Sequence, residues 1–349
     1  STFYGQPSYS HGGGLWGIYG SRRATVEDDW GTPEDLGPPV NLASQSATGA
    51  SITADGLTLY FASGRPGGYG SADIWMATRA TKEDPWQEPV NLGSTINSSA
   101  FDGYCSISAD CLELHFVSYR SGGHGKGDIW VARRATEDAP WEEAVNLGPR
   151  INTGHYENVP SLSPDGRMLL FGEHQQEPFR PEGFGGGDLW VCVRPTVRDD
   201  WGPPLNLGPM INGPYTDGTP VLSHDGQTLY FASWNRPENY GRWDIWQAPI
   251  LPIVDFNGDG KADGTDVVIL TEHWGESDSV CDIGPYAWGD GIVDEQDLFA
   301  LAEYLPDDEE DYVDPTLIAH WALDEGAGSI AVDWVGEHYA MIVGDVVWE

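Results

Sequence analysis

Two acidic loops in the last third of the chain carry the residue types best suited to bind a metal. The first is "DFNGDGKADGTD" (255–266), where oxygen-bearing side chains recur around a glycine at the sixth position. A hard cation such as Ca²⁺ takes about six to eight oxygen ligands around a sharp turn of this kind. The loop therefore predicts a calcium site, with an Asp-rich turn free of metal as the alternative. The predicted ligands are Asp255, Asn257, Asp259, the carbonyl of Lys261, Asp263 and Asp266.

The pattern recurs 31 residues later in "GDGIVDEQDLFALAEYL" (289–305). Its first half is interrupted, because Asp282 precedes Asp290 by eight positions rather than four, with "IGPYAWG" between them. A helical pattern follows each loop, and a glycine at Gly275 ends the first helix. The predicted ligands of this second calcium loop are Asp282, Asp290, Asp294 and Asp297.

A second group of candidates lies in the first 250 residues, eight positions before each of several turn aspartates. It consists of Asp102, Glu157 and Asp217, with Ala47 in the remaining copy. Convergent carboxylates could bind a cation or act as the acid and base of a glycoside hydrolase. Recurrence at the repeat spacing favours a structural role instead. The histidines His155, His174 and His224 share no common offset, so they give little support to a lyase site.

These residues are embedded in a repeat with a period near 55. The turn tetrads "TADG", "SADC", "SPDG" and "SHDG" place aspartates at 55, 110, 165 and 225. Each tetrad is followed by an apolar strand, a glycine-rich loop and "DIW" or "DLW"; in the first three copies an acidic turn ending in Trp and a "VNLG" or "LNLG" segment come next. Tyr-, Phe- and Val-rich strands at even spacing predict mainly β structure, and four strands per repeat are what a propeller blade needs.

The first 36 residues match a damaged copy of this repeat, in which Gly14 takes the place of the aspartate and the innermost strand is missing. Residues 1–250 are thus predicted to form a five-bladed β-propeller, four full repeats plus one partial, or the tail of a larger one. The equivalent tryptophans would be Trp16, Trp75, Trp130, Trp190 and Trp246.

The segments "SPDG…LLF…GGGDLW" and "ADGLTLYFASGRPGGYGSADIW" resemble the WD40-like, Pro-Asp-containing repeats of TolB-type propellers. Residues 251–305, two calcium loops each followed by a helix, resemble a dockerin type I module. That resemblance implies a small α-helical, calcium-binding domain and a cohesin-like partner. The dockerin recognition positions here are Gly264-Thr265 and Glu295-Gln296, where Ser or Thr is usual.

The end of the chain has a different composition. Residues 306–315 are an acidic, proline-bounded linker, and residues 316–349 resemble the opening strands of a laminin-G or concanavalin-like domain. A β-sandwich needs more strands than this to cover its faces. A truncated β-sandwich fragment, and hence a longer multimodular protein, is the prediction.

Composition limits the partners. Asp and Glu number 55 against 17 Lys and Arg, a formal net charge of −38. Such a field repels phosphate backbones and anionic lipids, which disfavours nucleic acid, and no apolar run approaches a membrane span. The resemblances imply an extracellular or cell-surface bacterial protein, attached through a cohesin-like protein or cell-surface component and able to meet polysaccharide. The residues favour a non-catalytic binding propeller; the alternative is a propeller glycoside hydrolase or polysaccharide lyase.

Overall fold

The structure is a computed structural model. It describes residues 2–5, 10–11, 15–25, 28–173, 179–181, 183–237, 239, 243–258, 260–277, 280–305, 330–332 and 339–341. The described part of the chain is a mainly β propeller with two short helices after it.

The N-terminal residues form two small antiparallel sheets, a three-stranded one in the order β1-β4-β5 and a two-stranded one, β2-β3. Their strands are β1 (Thr2–Gly5), β2 (Ser10–His11), β3 (Leu15–Trp16), β4 (Tyr19–Arg22) and β5 (Glu34–Asp35). We call β1-β4-β5 the N-terminal sheet.

Four propeller blades follow, each an antiparallel sheet whose strands pair in chain order. The first blade has β6 (Ala47–Ile52), β7 (Thr58–Ser63), β8 (Asp73–Thr78) and β9 (Val90–Asn91). The second has β10 (Asp102–Ile107), β11 (Glu113–Ser118), β12 (Asp128–Arg133) and β13 (Val145–Asn146). The third has β14 (Glu157–Leu162), β15 (Met168–Glu173), β16 (Leu189–Val193) and β17 (Leu205–Asn206). The fourth has β18 (Thr216–Leu222), β19 (Thr228–Trp234) and β20 (Trp243–Pro249).

The regular spacing of the repeat reflects two hydrogen-bonded supports in each of the first three blades. In the first blade, the carboxylate of Asp73 accepts from the backbone N–H groups of Tyr69 and Gly70 and from Asn91 on the outer strand. Asn97 in turn accepts from the N–H of Ile74 and donates to its carbonyl. Asp73, Asp128 and Asp188 therefore hold the glycine-rich loops of their blades, as a turn-capping role predicts.

The N-terminal sheet corrects one alignment made from the sequence. The backbone N–H of Ile18 donates to Asn41 at 2.9 Å, as that of Ile74 donates to Asn97 at 2.8 Å. The residue after Ile18, Tyr19, therefore occupies the place of Trp75, and the assignment of Trp16 was wrong. The pair "LW" resembles "IW", but the spacing to the following Trp turn shows that "IY" is the equivalent.

After the fourth blade come α1 (Gly264–Glu272) and α2 (Glu295–Ala302). Each begins with an aspartate that accepts from a backbone N–H of its first turn and with a second aspartate three residues later that completes a capping box. The helices share one buried apolar cluster, whose members are Val254, Ala262, Leu270, Cys281, Ile283, Val293 and Leu301. We call residues 251–305 the helical module.

Beyond the helical module the structure describes only β21 (Ile330–Val332) and β22 (Tyr339–Met341), which pair antiparallel. The predicted linker 306–315 lies outside the described residues, as does most of the predicted β-sandwich fragment 316–349. No helix formed by the described residues combines the length and the apolar character needed to cross a bilayer.

Candidate functional site

The three repeated carboxylates of the propeller are each neutralised by an arginine of their own blade. Arg120 Nη2 lies 2.7 Å from Asp102 Oδ1, and Arg236 Nη2 lies 3.0 Å from Asp217 Oδ1. Glu157 pairs with Arg180 in the same way, at 2.9 Å. All three carboxyl groups are fully buried. A buried, paired carboxylate is a poor general acid or base, so this geometry favours the structural reading of the three acids.

The arginine of each pair is held in the same manner in every blade. Its guanidinium lies over a Phe and a Trp of its own sheet and donates to a main-chain carbonyl ahead of the innermost strand. Arg120, for example, lies 4.9 Å from the ring of Trp130 and donates to the carbonyl of Ile96. These arginines are Arg65, Arg120, Arg180 and Arg236.

The first blade keeps the arginine and lacks the acid. Arg65 lies over Phe61 and Trp75 and donates to the carbonyl of Val40, but Ala47 stands where the other blades have a carboxylate. Its Nε is buried with no hydrogen-bond partner. Burial lowers the pKa of Arg65 to about 10, while Glu88 acts in the opposite direction. Arg65 therefore stays charged at neutral pH, and Glu88 is the carboxylate that favours its charged form.

A cavity of about 320 Å³ lies near the start of β6, and neither Ala47 nor Arg65 is among the residues that line it. Ser46 and Thr48, on either side of Ala47, line it together with Ser63 and Gly64, which immediately precede Arg65 in sequence. Other residues that line it are Leu15, Gln45, Ala62, Ser71, Ala72, Phe101 and Tyr104. Ser63 Oγ is buried and has no hydrogen-bond partner, whereas the equivalent Ser118 accepts from Arg120.

The innermost strands share a backbone feature at the wall of the central channel. Each carries a bulge where φ is positive, at the third residue of β6, β10 and β14 and the fourth of β18: 58° at Gly49, 50° at Tyr104, 48° at Val159 and 51° at Thr219. For a β-branched residue such as Val159 or Thr219 this is a strained conformation. Three of the four blades therefore hold a non-glycine residue in this strained conformation. One of these residues, Tyr104, lines the cavity.

The third blade has two acids for its one arginine, whereas the first blade has none at the repeated position. Glu173 lies opposite Glu157 on the neighbouring strand, and its Oε1 is 3.7 Å from Arg180 Nε. Burial raises the pKa of Glu173. Part of the adjacent loop, residues 174–178, including His174, lies outside the described residues.

In the first acidic loop the carboxylates bind the loop's own backbone. Asp255 accepts from the N–H groups of Gly258 and Gly260. Asp266 is fully buried and accepts from Phe256 and Asp263, which joins the two ends of the loop. The remaining predicted ligands, Asn257 and Lys261, lie in the same loop, and Asp259 lies outside the described residues.

The second acidic loop closes in spite of its insertion. Asp282 accepts from the N–H groups of Asp290 and Gly291, and the buried Asp297 accepts from Ile283 and Asp294. Burial raises the pKa of Asp282 to about 6, and the nearby charges of Asp297 and Asp290 add to this. Burial also raises the pKa of Asp290, with Asp294 and Asp297 contributing. The loop is thus closed by backbone hydrogen bonds to Asp282 and Asp297, with the insertion 283–289 looped out between them.

The donor set of both loops is oxygen, which fits a hard cation such as Ca²⁺ rather than a thiolate-seeking metal. Within the residues that the structure describes, no group of three or more His, Cys, Asp or Glu side chains is arranged to hold a metal ion. The carboxylates that would ligate are engaged with backbone N–H groups, so ion binding would require local adjustment of each loop.

The insertion itself contacts the propeller. Trp288 Nε1 donates to Asp165 at 2.9 Å, and Arg167 donates to the carbonyl of Gly289 at 3.2 Å. Tyr286 stacks on Trp288 with ring centroids 5.1 Å apart. A Cβ on Gly226 would come within 2.8 Å of both rings. The helical module thus packs on the Asp-Gly turns of the third and fourth blades, an interface that the sequence analysis missed. The only signal was the interrupted ligand spacing itself.

No protein-family model matches this chain, and no curated protein matches it in sequence.

Solved propeller structures do show similarity to it. TolB from Acinetobacter baumannii is 11% identical, with 68% of this chain and 50% of TolB covered and a TM-score of 0.41, so this chain spans about half the length of that protein. An α-L-arabinofuranosidase from Lactobacillus brevis is 12% identical, with 73% and 88% covered and a TM-score of 0.45. An endo-arabinase from Bacteroides thetaiotaomicron is 14% identical, with 72% and 90% covered and a TM-score of 0.46. The function of this chain has to be argued from its own residues.

Proposed function

We propose that this chain is a non-catalytic propeller that binds a ligand at its channel mouth and carries a calcium-ordered helical module for attachment to other proteins. The observation that supports it most is the closure of Asp102, Glu157 and Asp217 in buried ion pairs with arginines. A glycoside hydrolase needs one carboxyl group to protonate the leaving group and another to act as nucleophile or base. Carboxylates held in this way are not free to do either.

The test is a paired assay on one set of neutral and acidic polysaccharides. Affinity electrophoresis measures binding, and release of reducing ends measures cleavage, with the intact chain in both. The proposal expects retardation by at least one polysaccharide with no release of reducing ends. Release that is abolished by Glu173→Gln, but not by the exposed control Glu142→Gln, would support the glycoside hydrolase instead, with Glu173 as its acid.

For the helical module we propose two calcium ions, one per acidic loop. Like charges crowd the second loop around Asp282 and Asp290, and a divalent cation would offset their repulsion. Calorimetry of the whole chain with CaCl₂ should show two sites, and Asp259→Ala should leave one. Two undiminished sites in Asp259→Ala would contradict the ligand assignment.

Simple loops of this type load at the calcium concentrations found outside cells, which is the reason for proposing an extracellular or cell-surface location and a cohesin-like or cell-surface partner.

We also propose that the N-terminal sheet is the fifth blade and closes the ring. Arg23 lies 4.5 Å from the ring of Trp30, as Arg79 lies 4.3 Å from Trp86 in the first blade. Arg23 also donates to the hydroxyl of Tyr230 in the fourth blade at 3.0 Å. Burial raises the pKa of the equivalent hydroxyl of Tyr60 in the first blade to about 12, and the charge of Arg134 in the second blade opposes this. The N-terminal sheet thus places an arginine beside a tyrosine of the fourth blade, as the second blade does with a tyrosine of the first.

A further inference from the structure

The cavity near the start of β6 follows from a difference between the first two blades. Their innermost strand pairs have the same register, so the residues of one blade can be aligned with those of the other. The place that Phe101 has in the second blade is taken by Ser46 in the first. The place of Tyr119 is taken by Gly64. Ser46 and Gly64 both line the cavity, which therefore lies where the next blade carries two aromatic side chains.

The aromatic rings of the second blade border the cavity and continue away from it. Phe101 and Tyr104 line the cavity, with ring centroids 5.4 Å apart. The centroid of Phe101 is 5.0 Å from that of Tyr119, which in turn is 6.2 Å from that of Tyr156 in the third blade. We call Tyr104, Phe101, Tyr119 and Tyr156 the aromatic row. The row ends at Tyr156, because Lys126 lies over that ring at 5.3 Å.

Two glycines hold the aromatic row close to the main chain. A Cβ on Gly103 would lie 2.9 Å from the ring of Phe101. A Cβ on Gly127 would lie 2.6 Å from the ring of Tyr119. The rings therefore rest on backbone and are in position before a ligand arrives, which lowers the cost of binding. Tyr119 is 40% exposed, and burial of the rest raises its pKa to about 12, so its hydroxyl stays protonated and can donate as well as accept.

The polar part of the cavity consists of uncharged side chains. They belong to the first blade or to the segment just before it: Gln45, Ser46, Thr48, Ser63 and Ser71. Each can both donate and accept a hydrogen bond, as the hydroxyl groups of a sugar do. Among the described residues that line the cavity there is no charged side chain. An uncharged ring with apolar faces and hydroxyl groups at its edge therefore matches both the polar lining and the aromatic row.

We propose that the cavity and the aromatic row together bind a neutral linear polysaccharide, with one sugar ring in the cavity and the next rings against Phe101 and Tyr119. The cavity volume of about 320 Å³ lies near the lower end of ligand cavities, roughly 300–1,000 Å³, and suits a single ring. The net charge of −38 disfavours an acidic polysaccharide. This inference names the ligand class of the binding role proposed above and rests on it.

The test is calorimetry of the full chain with cellohexaose, xylohexaose and mannohexaose as neutral probes and with hexagalacturonate as the acidic probe. We expect saturable binding of at least one neutral probe and an affinity at least about tenfold lower for the acidic one, because the charge of the chain repels it. No saturable binding of a neutral probe in the millimolar range, or equally tight binding of hexagalacturonate, would overturn the inference.

Two variants test the cavity and the row separately. Ser46→Phe adds the ring that the second blade has at this position, and it should reduce the affinity at least about tenfold by filling the cavity. Ser44→Phe, at an exposed position of the same loop that does not line the cavity, should leave the affinity unchanged. Tyr119→Ala removes the exposed ring of the row and should reduce the affinity about three- to tenfold. Phe184→Ala, which removes a ring that is 42% exposed in the third blade, is its matched control.

The two variants lie at separate positions, so a folding defect in one leaves the other to decide. Affinity unchanged in both Ser46→Phe and Tyr119→Ala would overturn the inference. Retardation by a polysaccharide that persists unchanged in both variants would refute this site and leave the binding propeller standing. Release of reducing ends, in contrast, would refute the non-catalytic function itself.

Discussion

At the scale of single residues, the propeller depends on a repeated buried pair of one acid and one arginine. The position of the acids was predicted from the repeat offset, and a structural role was favoured. Their partners were not predicted, because the repeat offset aligns Arg65 with Arg120 but not Arg180 or Arg236, which follow longer loops. The common packing on Phe and Trp identifies all four.

Loss of one acid should cost much stability. We expect Asp102→Ala to lower the free energy of unfolding by about 3–5 kcal/mol, because it leaves Arg120 buried beside no carboxylate. The measurement is urea unfolding followed by tryptophan fluorescence. The double variant Asp102→Ala with Arg120→Met should recover part of the loss. A change below about 1 kcal/mol in the single variant would show that the pair is not a structural element.

His115 gives the second blade a dependence on pH. Burial lowers its pKa from 6.5 to about 3, and both ring nitrogens lack a hydrogen-bond partner. Arg194 and Arg133 lower it further, and Glu113 opposes them. Between pH 6.5 and 3 the unfolded state binds a proton that the folded state does not. Stability should therefore fall with falling pH in this window, by up to about 1.4 kcal/mol per pH unit.

His115→Leu should flatten that part of the profile, since the third blade has Leu170 at the same place in its strand. The comparison is the slope of the unfolding free energy between pH 6.5 and 4.5 in the two proteins. Equal slopes would mean that other groups account for the acid sensitivity.

At the scale of elements, the insertion 283–289 connects the two parts of the chain. From the sequence it was an interruption of a ligand pattern. In the structure it leaves the second acidic loop closed, and it carries Tyr286 and Trp288 to the turns of the propeller. The sequence could not predict this contact, because the partner residues Asp165 and Gly226 belong to turns that every blade possesses. Only their position in the ring distinguishes them.

Trp288→Ala should release the helical module from the propeller without unfolding either. It removes the hydrogen bond to Asp165 and the ring that fills the space against Gly226. Hydrogen exchange should become faster in residues 163–167 and 283–289, while β11 and β12 keep their protection. Trp274→Ala, a half-exposed tryptophan of the same module, is the matched control. Unchanged exchange in Trp288→Ala would contradict the interface.

At the scale of the whole molecule, the chain is a repeat in which the first full copy lacks the acid that the other three share. The propeller and the order of its strands were predicted because period, turn residues and strand composition agreed. The N-terminal copy was misaligned by three residues, because a matching Leu-Trp pair was given more weight than the spacing to Trp30. The absence of an acid at Ala47 could be seen in the sequence, but not that it leaves Arg65, 18 positions further along, without the ion pair of the other blades.

The most direct test of the account is a hydrogen-exchange footprint of the intact chain with a polysaccharide that retards it in affinity electrophoresis. We expect protection in the segments 45–48 and 101–104, which contain lining residues of the cavity in the first blade, with the polysaccharide recovered at its original length. Protection confined to the third blade around Glu157 and Glu173, or shortening of the polysaccharide during the experiment, would contradict a non-catalytic propeller that binds its ligand in the first blade.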